Sequence, residues 1–213
     1  MHMNTTTGKM PMAGSLLRWL LPAMLLLSYA GLAQAESRKY RQLPASAWQQ
    51  LDQARGVRLT GDAGLTPNVQ IVCDPNCPYC ARLDRRLREA HKNMPIRWVP
   101  VAYFKPDSET MAAAILSARD PVASLEANYR DYDFDARRGG HASPSERMRL
   151  DPGHAELKRA WKQWGGFTPM IIVRTRDGRI LRAMGASDAF VESVLEQAAP
   201  PVRAYEAWRP SSR

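Results

Sequence analysis

Apolar and polar residues alternate along this chain on two periods, one near 3.6 residues and one near 2, and together they divide most of it into helices and strands. Residues 44–54 carry Trp48, Leu51 and Ala54 at helical spacing, which predicts a short helix. Residues 56–67 read as turns with one short strand. Val69, Ile71 and Val72 predict a buried strand, stopped by Asp74-Pro75. From Cys77 to about His91 the pattern becomes amphipathic. Cys80, Leu83, Leu87 and Ala90 share one face, and Arg82, Arg85, Arg86 and Arg88 are expected to face solvent. Residues 96–103 are apolar and β-branched, hence a second buried strand. Residues 107–164 have a helical composition in three pieces, 108–118, 121–129 and 153–164, with a polar loop at 131–152. Residues 170–175 and 179–184 form a hairpin through Asp177-Gly178, and Ser187 is expected to cap a closing helix to residue 197.

This order predicts an α/β protein whose first two core strands are parallel and joined by the cysteine-bearing helix, because a parallel pair needs a crossover. The first 35 residues stand outside that domain. Lys9 and Arg18 precede or open an apolar stretch at 19–32 that carries Pro22 and ends in Ala33-Gln34-Ala35. The stretch is shorter than the roughly 20 residues of a membrane span and ends in a small-x-small cleavage pattern, so it reads as a signal peptide cut after Ala35. The expected organisation is a leader at 1–35, a helix with a short extension at 36–66, a catalytic domain at 67–200, and a loosely held tail at 201–213. The helical insertion occupies about 107–164.

The chain has a formal net charge of +9, which falls to +7 (28 basic against 21 acidic residues) without the leader. No run of five basic residues occurs, so the charge reads as a solvated surface and nucleic acid is not an expected partner. Export implies an oxidising compartment where disulfides persist. The three cysteines all lie within residues 73–80, which marks a site and not a scaffold of structural disulfides.

Cys77-Pro78-Tyr79-Cys80 opens the arginine-rich helix. Helix-end amides favour a thiolate, so Cys77 is expected to have a lowered pKa and to attack, with Cys80 one turn further in to resolve. Pro78 and Tyr79, between the thiols, would tune the potential. Thr168-Pro169 precedes the third strand, after the flexible Gly165-Gly166-Phe167. The spacing of Cys73 admits two readings: a buried strand-end thiol that acts as a small hydrophobe, or a third redox thiol able to pair with Cys77. A zinc site would need a second ligand pair, and the histidines (His2, His91, His141, His154) are scattered, so no metal is expected.

The run Cys73-Asp74-Pro75-Asn76-Cys77-Pro78-Tyr79-Cys80 resembles the active-site segment of the DsbC/DsbG family of periplasmic disulfide isomerases and reductases. WVPVAYFKPDS, MAAAILSARDP, FTPMIIV and GASD extend the resemblance in order over residues 67–198. It implies a thioredoxin-like fold with a helical insertion between the second strand and a cis-proline loop. It also implies that Thr168 and Pro169 hold a client backbone, that no cofactor is needed, and that electrons come from a membrane reductase resembling DsbD. The details are nearer the DsbG branch. The 33 residues at 36–68 are too few for that family's dimerisation domain and linker, so a monomer is expected.

Other classes fit parts of the pattern. A DsbA-like oxidase would use the same dithiol in the opposite direction. Cys73-x-x-x-Cys77-x-Tyr79-Cys80 also fits the cluster-binding cysteines of radical-SAM enzymes, which would give a brown protein. Cys73-x-x-x-Cys77-Pro78 resembles the copper site of Sco-type chaperones, for which His141 or His154 would have to complete the ligands. A non-catalytic client-binding module would use Phe167 and exposed Tyr129, Tyr132 and Phe134.

Overall fold

The computed structural model describes residues 40–140, 147–183 and 187–203, and the chain from Lys39 onward clusters as one compact unit. The leader, His141, Gly185-Ala186 and the last ten residues lie outside the described residues. Among those that are described, no helix is long and apolar enough to cross a membrane.

The strands are β1 (Tyr40–Leu43), β2 (Val57–Thr60), β3 (Leu65–Thr66), β4 (Val69–Cys73), β5 (Ile96–Pro100), β6 (Met170–Arg174), β7 (Ile180–Ala183) and β8 (Val202–Arg203). The helices are α1 (Ser46–Gln53), α2 (Pro78–Ala90), α3 (Ser108–Ser117), α4 (Pro121–Arg130), α5 (Pro152–Gln163) and α6 (Asp188–Leu195). Six strands form one sheet in the order β1-β7-β6-β4-β5-β2. Only β4 and β5 run parallel, with Ile71 opposite Trp98, and α2 makes the crossover between them. β6 adds antiparallel to β4, and β7 returns along β6 through the Asp177-Gly178 turn. A central βαβ unit followed by a β-hairpin and a closing helix is the thioredoxin-like arrangement, with α3, α4 and α5 inserted between β5 and β6.

Strand alternation divides the core in two, because successive side chains point to opposite faces. Ile71, Trp98 and Ile171 join Leu83 and Leu87 of α2, Leu125 of α4 and Val191 of α6 on one face. Val72, Val99 and Ile172 join Trp48 and Leu51 of α1 and Leu157 and Trp161 of α5 on the other. The three cysteines belong to the first cluster.

Several details differ from the sequence expectation. Residues 36–66, read as a helix with a short extension, supply both edges of the sheet: β1 pairs with β7, and β2 with β5. Val202 and Arg203, assigned to a loose tail, pair with Leu65–Thr66. Ser187 sits at the N-cap of α6, but its side chain makes no capping bond. On α2, Ala90 is exposed and Asp84 is buried. Arg86 and Arg88 are partly covered and ion-paired, Arg86 to Asp188 and Glu192, and Arg88 to Asp84 and Glu126.

Candidate functional site

β4 ends at Cys73 and α2 begins just after Cys77, so the four-residue link 74–77 sets the whole site. Pro75 stiffens that link, and Pro78 takes the first helical position, where a missing N–H costs nothing. Asp74 is fully buried and anchors the link. Its Oδ1 accepts from the Asn76 amide and the Ser108 hydroxyl, each at 2.8 Å. Its Oδ2 accepts from the amides of Tyr103 (2.8 Å) and Phe104 (2.9 Å). Burial pushes the Asp74 carboxyl up despite these four donors.

The insertion grips the same link from the other side. Tyr129 donates to the Asp74 carbonyl at 3.1 Å and accepts from the Trp98 indole at 3.1 Å. Asn128 donates to the Pro75 carbonyl at 3.0 Å, and Tyr132 donates to the Asn76 carbonyl at 2.6 Å. Gly139 donates its amide to Asn76 Oδ1 at 3.0 Å. Buried backbone polar groups must be satisfied, and here side chains from the end of α4 and the turn just after it do it. Tyr129 (2% exposed) and Tyr132 (7%) are therefore struts and not an exposed client surface, and Phe134 alone of the three is exposed.

Cys77 is the N-cap of α2, and its thiol donates to the Thr168 carbonyl at 3.7 Å. The Thr168–Pro169 peptide is cis. Gly165 and Gly166 both have positive φ and turn the chain from α5 into this loop. Trp161 donates to the Phe167 carbonyl at 2.8 Å, and the hydroxyls of Tyr103 and Thr168 meet at 2.8 Å. Pro78 is half-buried, whereas Tyr79 is 60% exposed with the Arg82 guanidinium over its ring. The structure thus places Cys77, Thr168 and Pro169 together at one end of the sheet, with Tyr79 at the adjoining surface.

Two expectations about the thiols are corrected. The disulfide joins Cys73 to Cys80, with their Cα atoms 6.0 Å apart, and Cys77 is a free thiol. The sequence reading paired Cys77 with Cys80, or Cys73 with Cys77, because it lacked the register that points both the end of β4 and the first turn of α2 into the same core. The Cys77 thiol is also pushed up, not down. Burial outweighs the hydrogen bonding to Thr168 and the amides of Cys80 and Tyr79, and the charge of Asp74 adds to the rise.

Behind the disulfide lies a small cavity lined by Cys73, Cys80, Leu83, Asp84, Trp98 and Tyr129. Burial raises the Asp84 carboxyl to about 6 against the pull of Arg88. Sequence reasoning missed Asp84, although an acid four residues before an arginine on an amphipathic helix is a visible pair. It also missed Asp74, Asn76, Ser108 and Tyr103. Among the described residues no group of three or more metal-ligating side chains converges. Of the two histidines the copper reading offered, His141 lies outside the described residues, and His154 has both nitrogens engaged, by Asp151 at 2.8 Å and the Arg55 carbonyl at 2.9 Å.

The chain's own geometry defines a thioredoxin-like protein with three cysteines gathered where the parallel strand meets its crossover helix, facing a cis-proline loop. In sequence it is similar to thiol:disulfide interchange proteins of the DsbG type. It shares 28% identity over 158 residues with DsbG of Pseudomonas aeruginosa, covering 69% of this chain and 57% of that protein. With DsbG of Escherichia coli K12 it shares 31% over 93 residues, 43% of this chain and 37% of that protein. The chain therefore spans less than two thirds of the length of either relative. No family model matches it. Among solved structures, ScsC of Proteus mirabilis in a compact conformation covers 86% of this chain and 95% of its own, with 20% identity and a TM-score of 0.49. DsbG of Helicobacter pylori covers 76% and 72%, with 18% identity and a TM-score of 0.40.

Proposed function

We propose that this chain is an exported, periplasmic thiol–disulfide oxidoreductase that reduces or isomerises disulfides of client proteins, or reduces their sulfenic acids. The observation that carries the reading is the Cys77 thiol at the N-cap of α2, held against the Thr168 carbonyl of the cis-proline loop. The Cys77 sulfur attacks one sulfur of a client disulfide, forming a mixed disulfide and releasing the other client sulfur as a thiolate that takes up a proton. Cys80 then attacks Cys77, the mixed bond breaks, and the second client thiol leaves. The client gains two electrons, and the pair becomes a disulfide.

Cys77 is 2% exposed, so a client must bring its disulfide to a thiol lying just inside the surface. The backbone of Thr168 and Pro169 is the receiving edge, and exposed Tyr79 borders it. Strongly oxidising dithiols are those whose reduced form is stabilised by an acidic thiolate. With Cys80 bonded to Cys73, burial raises the Cys77 thiol, so the acidic thiolate that marks a DsbA-like oxidant is absent in that state. Electrons would return through a membrane reductase resembling DsbD, and a monomer suffices for these steps.

The test is opening of a disulfide-bonded peptide by the reduced protein, followed by the redox state of the cysteines trapped in cells with and without the membrane reductase. The reading expects reduction of the peptide, its loss in Cys77→Ala, and a site kept reduced only when the reductase is present. An inactive reduced protein, or a site oxidised in both strains, would sink it.

A further inference from the structure

We infer that Cys73 is a third redox residue, which takes the disulfide away from Cys77 and parks it as Cys73–Cys80, so that the oxidised protein keeps a free attacking thiol. This rests on the function proposed above and extends it. Cys80 is one turn inside α2 from Cys77, and its amide donates to the Cys77 carbonyl at 3.1 Å, so the two sulfurs belong to one helical turn. On its other side Cys80 reaches Cys73, with a Cα separation of 6.0 Å that lies within the range a disulfide requires. Cys80 is therefore the shared partner of two cysteines, one at the cis-proline loop and one in the core.

The step is an intramolecular exchange. The Cys73 sulfur, as thiolate, attacks Cys80 of a Cys77–Cys80 disulfide. The Cys73–Cys80 bond forms, the Cys77–Cys80 bond breaks, and Cys77 leaves as a thiolate that takes up the proton Cys73 gave up. No electrons enter or leave. The parked bond borders a small apolar cavity of the core walled by Leu59, Ile71, Leu83, Leu87, Trp98 and Tyr129, whereas Cys77 faces the cis-proline loop.

Parking divides the chemistry by substrate. In the parked state Cys77 still opens a client disulfide, but Cys80 is no longer free to resolve the adduct. Only a thiol of the client can release it. The oxidised protein therefore rearranges disulfides in clients that bring their own resolving thiol and performs no net reduction.

The test is to oxidise the reduced protein with one equivalent of diamide, which leaves no mixed disulfide behind, quench in acid, alkylate under denaturing conditions, and map the label. Cleavage before Asp74 and after Tyr79 puts each cysteine on its own peptide. One label, on Cys77, is expected, and oxidised Cys73→Ser should take none. The oxidised wild type should rearrange a scrambled-disulfide protein without added reductant, and oxidised Cys73→Ser should lose that activity. A label on Cys73 or Cys80 in a protein that exchanges disulfides when reduced overturns this inference alone. Two labels on oxidised Cys73→Ser, meaning that Cys77 and Cys80 cannot pair, also overturn it. A reduced wild type that opens no disulfide overturns the proposed function with it.

Discussion

Replacing Asp74 by asparagine separates the two jobs this carboxylate does. The side chain is fully buried and accepts four hydrogen bonds, two on each oxygen. Asparagine keeps the shape but turns one acceptor into a donor. In its better orientation the carbonyl oxygen faces the rigid amides of Tyr103 and Phe104. Its NH2 then meets the Asn76 amide and the Ser108 hydroxyl, and that hydroxyl already accepts from Lys105 (3.0 Å) and Asn76 Nδ2 (3.1 Å). One buried amide is left facing a donor, a loss of about 1–3 kcal/mol. The two remaining bonds also lose their charge assistance, and the relief of burying no charge offsets part of that. The net expectation is about 2–4 kcal/mol of lost stability, measured by urea unfolding. The same change removes a negative charge that, after burial, helps hold the Cys77 thiol up. Its alkylation should then reach half-maximal rate at lower pH. A variant as stable as the parent, or one whose Cys77 titrates higher, would refute the reasoning.

Other substitutions probe the surroundings. Tyr103→Phe removes the 2.8 Å contact with the Thr168 hydroxyl. It should cost about 1 kcal/mol of stability and raise the KM for a peptide disulfide more than it lowers kcat, read from steady-state kinetics. A Cβ at Gly139 would overlap the buried Asn128 carboxamide, whereas one at Gly64 has only the Asp62 carboxylate at 3.5 Å. Gly139→Ala should therefore cost about 1–3 kcal/mol in chemical unfolding, and Gly64→Ala almost nothing. Asp84, raised from 3.8 to about 6 by burial, holds a proton in the folded state that the unfolded chain has already released across that window. Stability conferred by this group is thus lost as pH rises from about 4 to about 6, by roughly 2 kcal/mol. Unfolding free energies of wild type and Asp84→Asn at pH 4 and pH 7 should show that difference moving against the wild type.

The elements that carry strong periodicity were legible in the sequence. The apolar runs at β4, β5 and β6, the amphipathic α2 and the Asp177-Gly178 hairpin each bury a face that the residue pattern displays. β1 was not legible, because Tyr40-Arg41-Gln42-Leu43 is an edge strand whose middle residues are exposed and whose partner, β7, lies far along the chain at Ile180–Ala183. The resemblance to a known family drew Thr168-Pro169 to Cys77 across the chain. What no local pattern carries is the web around residues 74–77. Asp74 and Asn76 lie on the link itself, Tyr103 and Ser108 around the start of α3, and Asn128, Tyr129 and Tyr132 at the end of α4 and just beyond it, and only the fold brings these stretches together. Tyr129 and Tyr132 were therefore misread as surface aromatics. The Cys73–Cys80 pairing likewise depends on which way a strand end and a helix turn face, not on the spacing between cysteines.

Cys77 as the attacking sulfur is tested most directly by incubating Cys80→Ser, with Cys73 also changed to serine, with a disulfide-bonded peptide and mapping the adduct by mass spectrometry. With neither partner left to resolve it, a mixed disulfide between the peptide and Cys77 should accumulate. No adduct on a folded variant, checked by circular dichroism, would contradict the assignment.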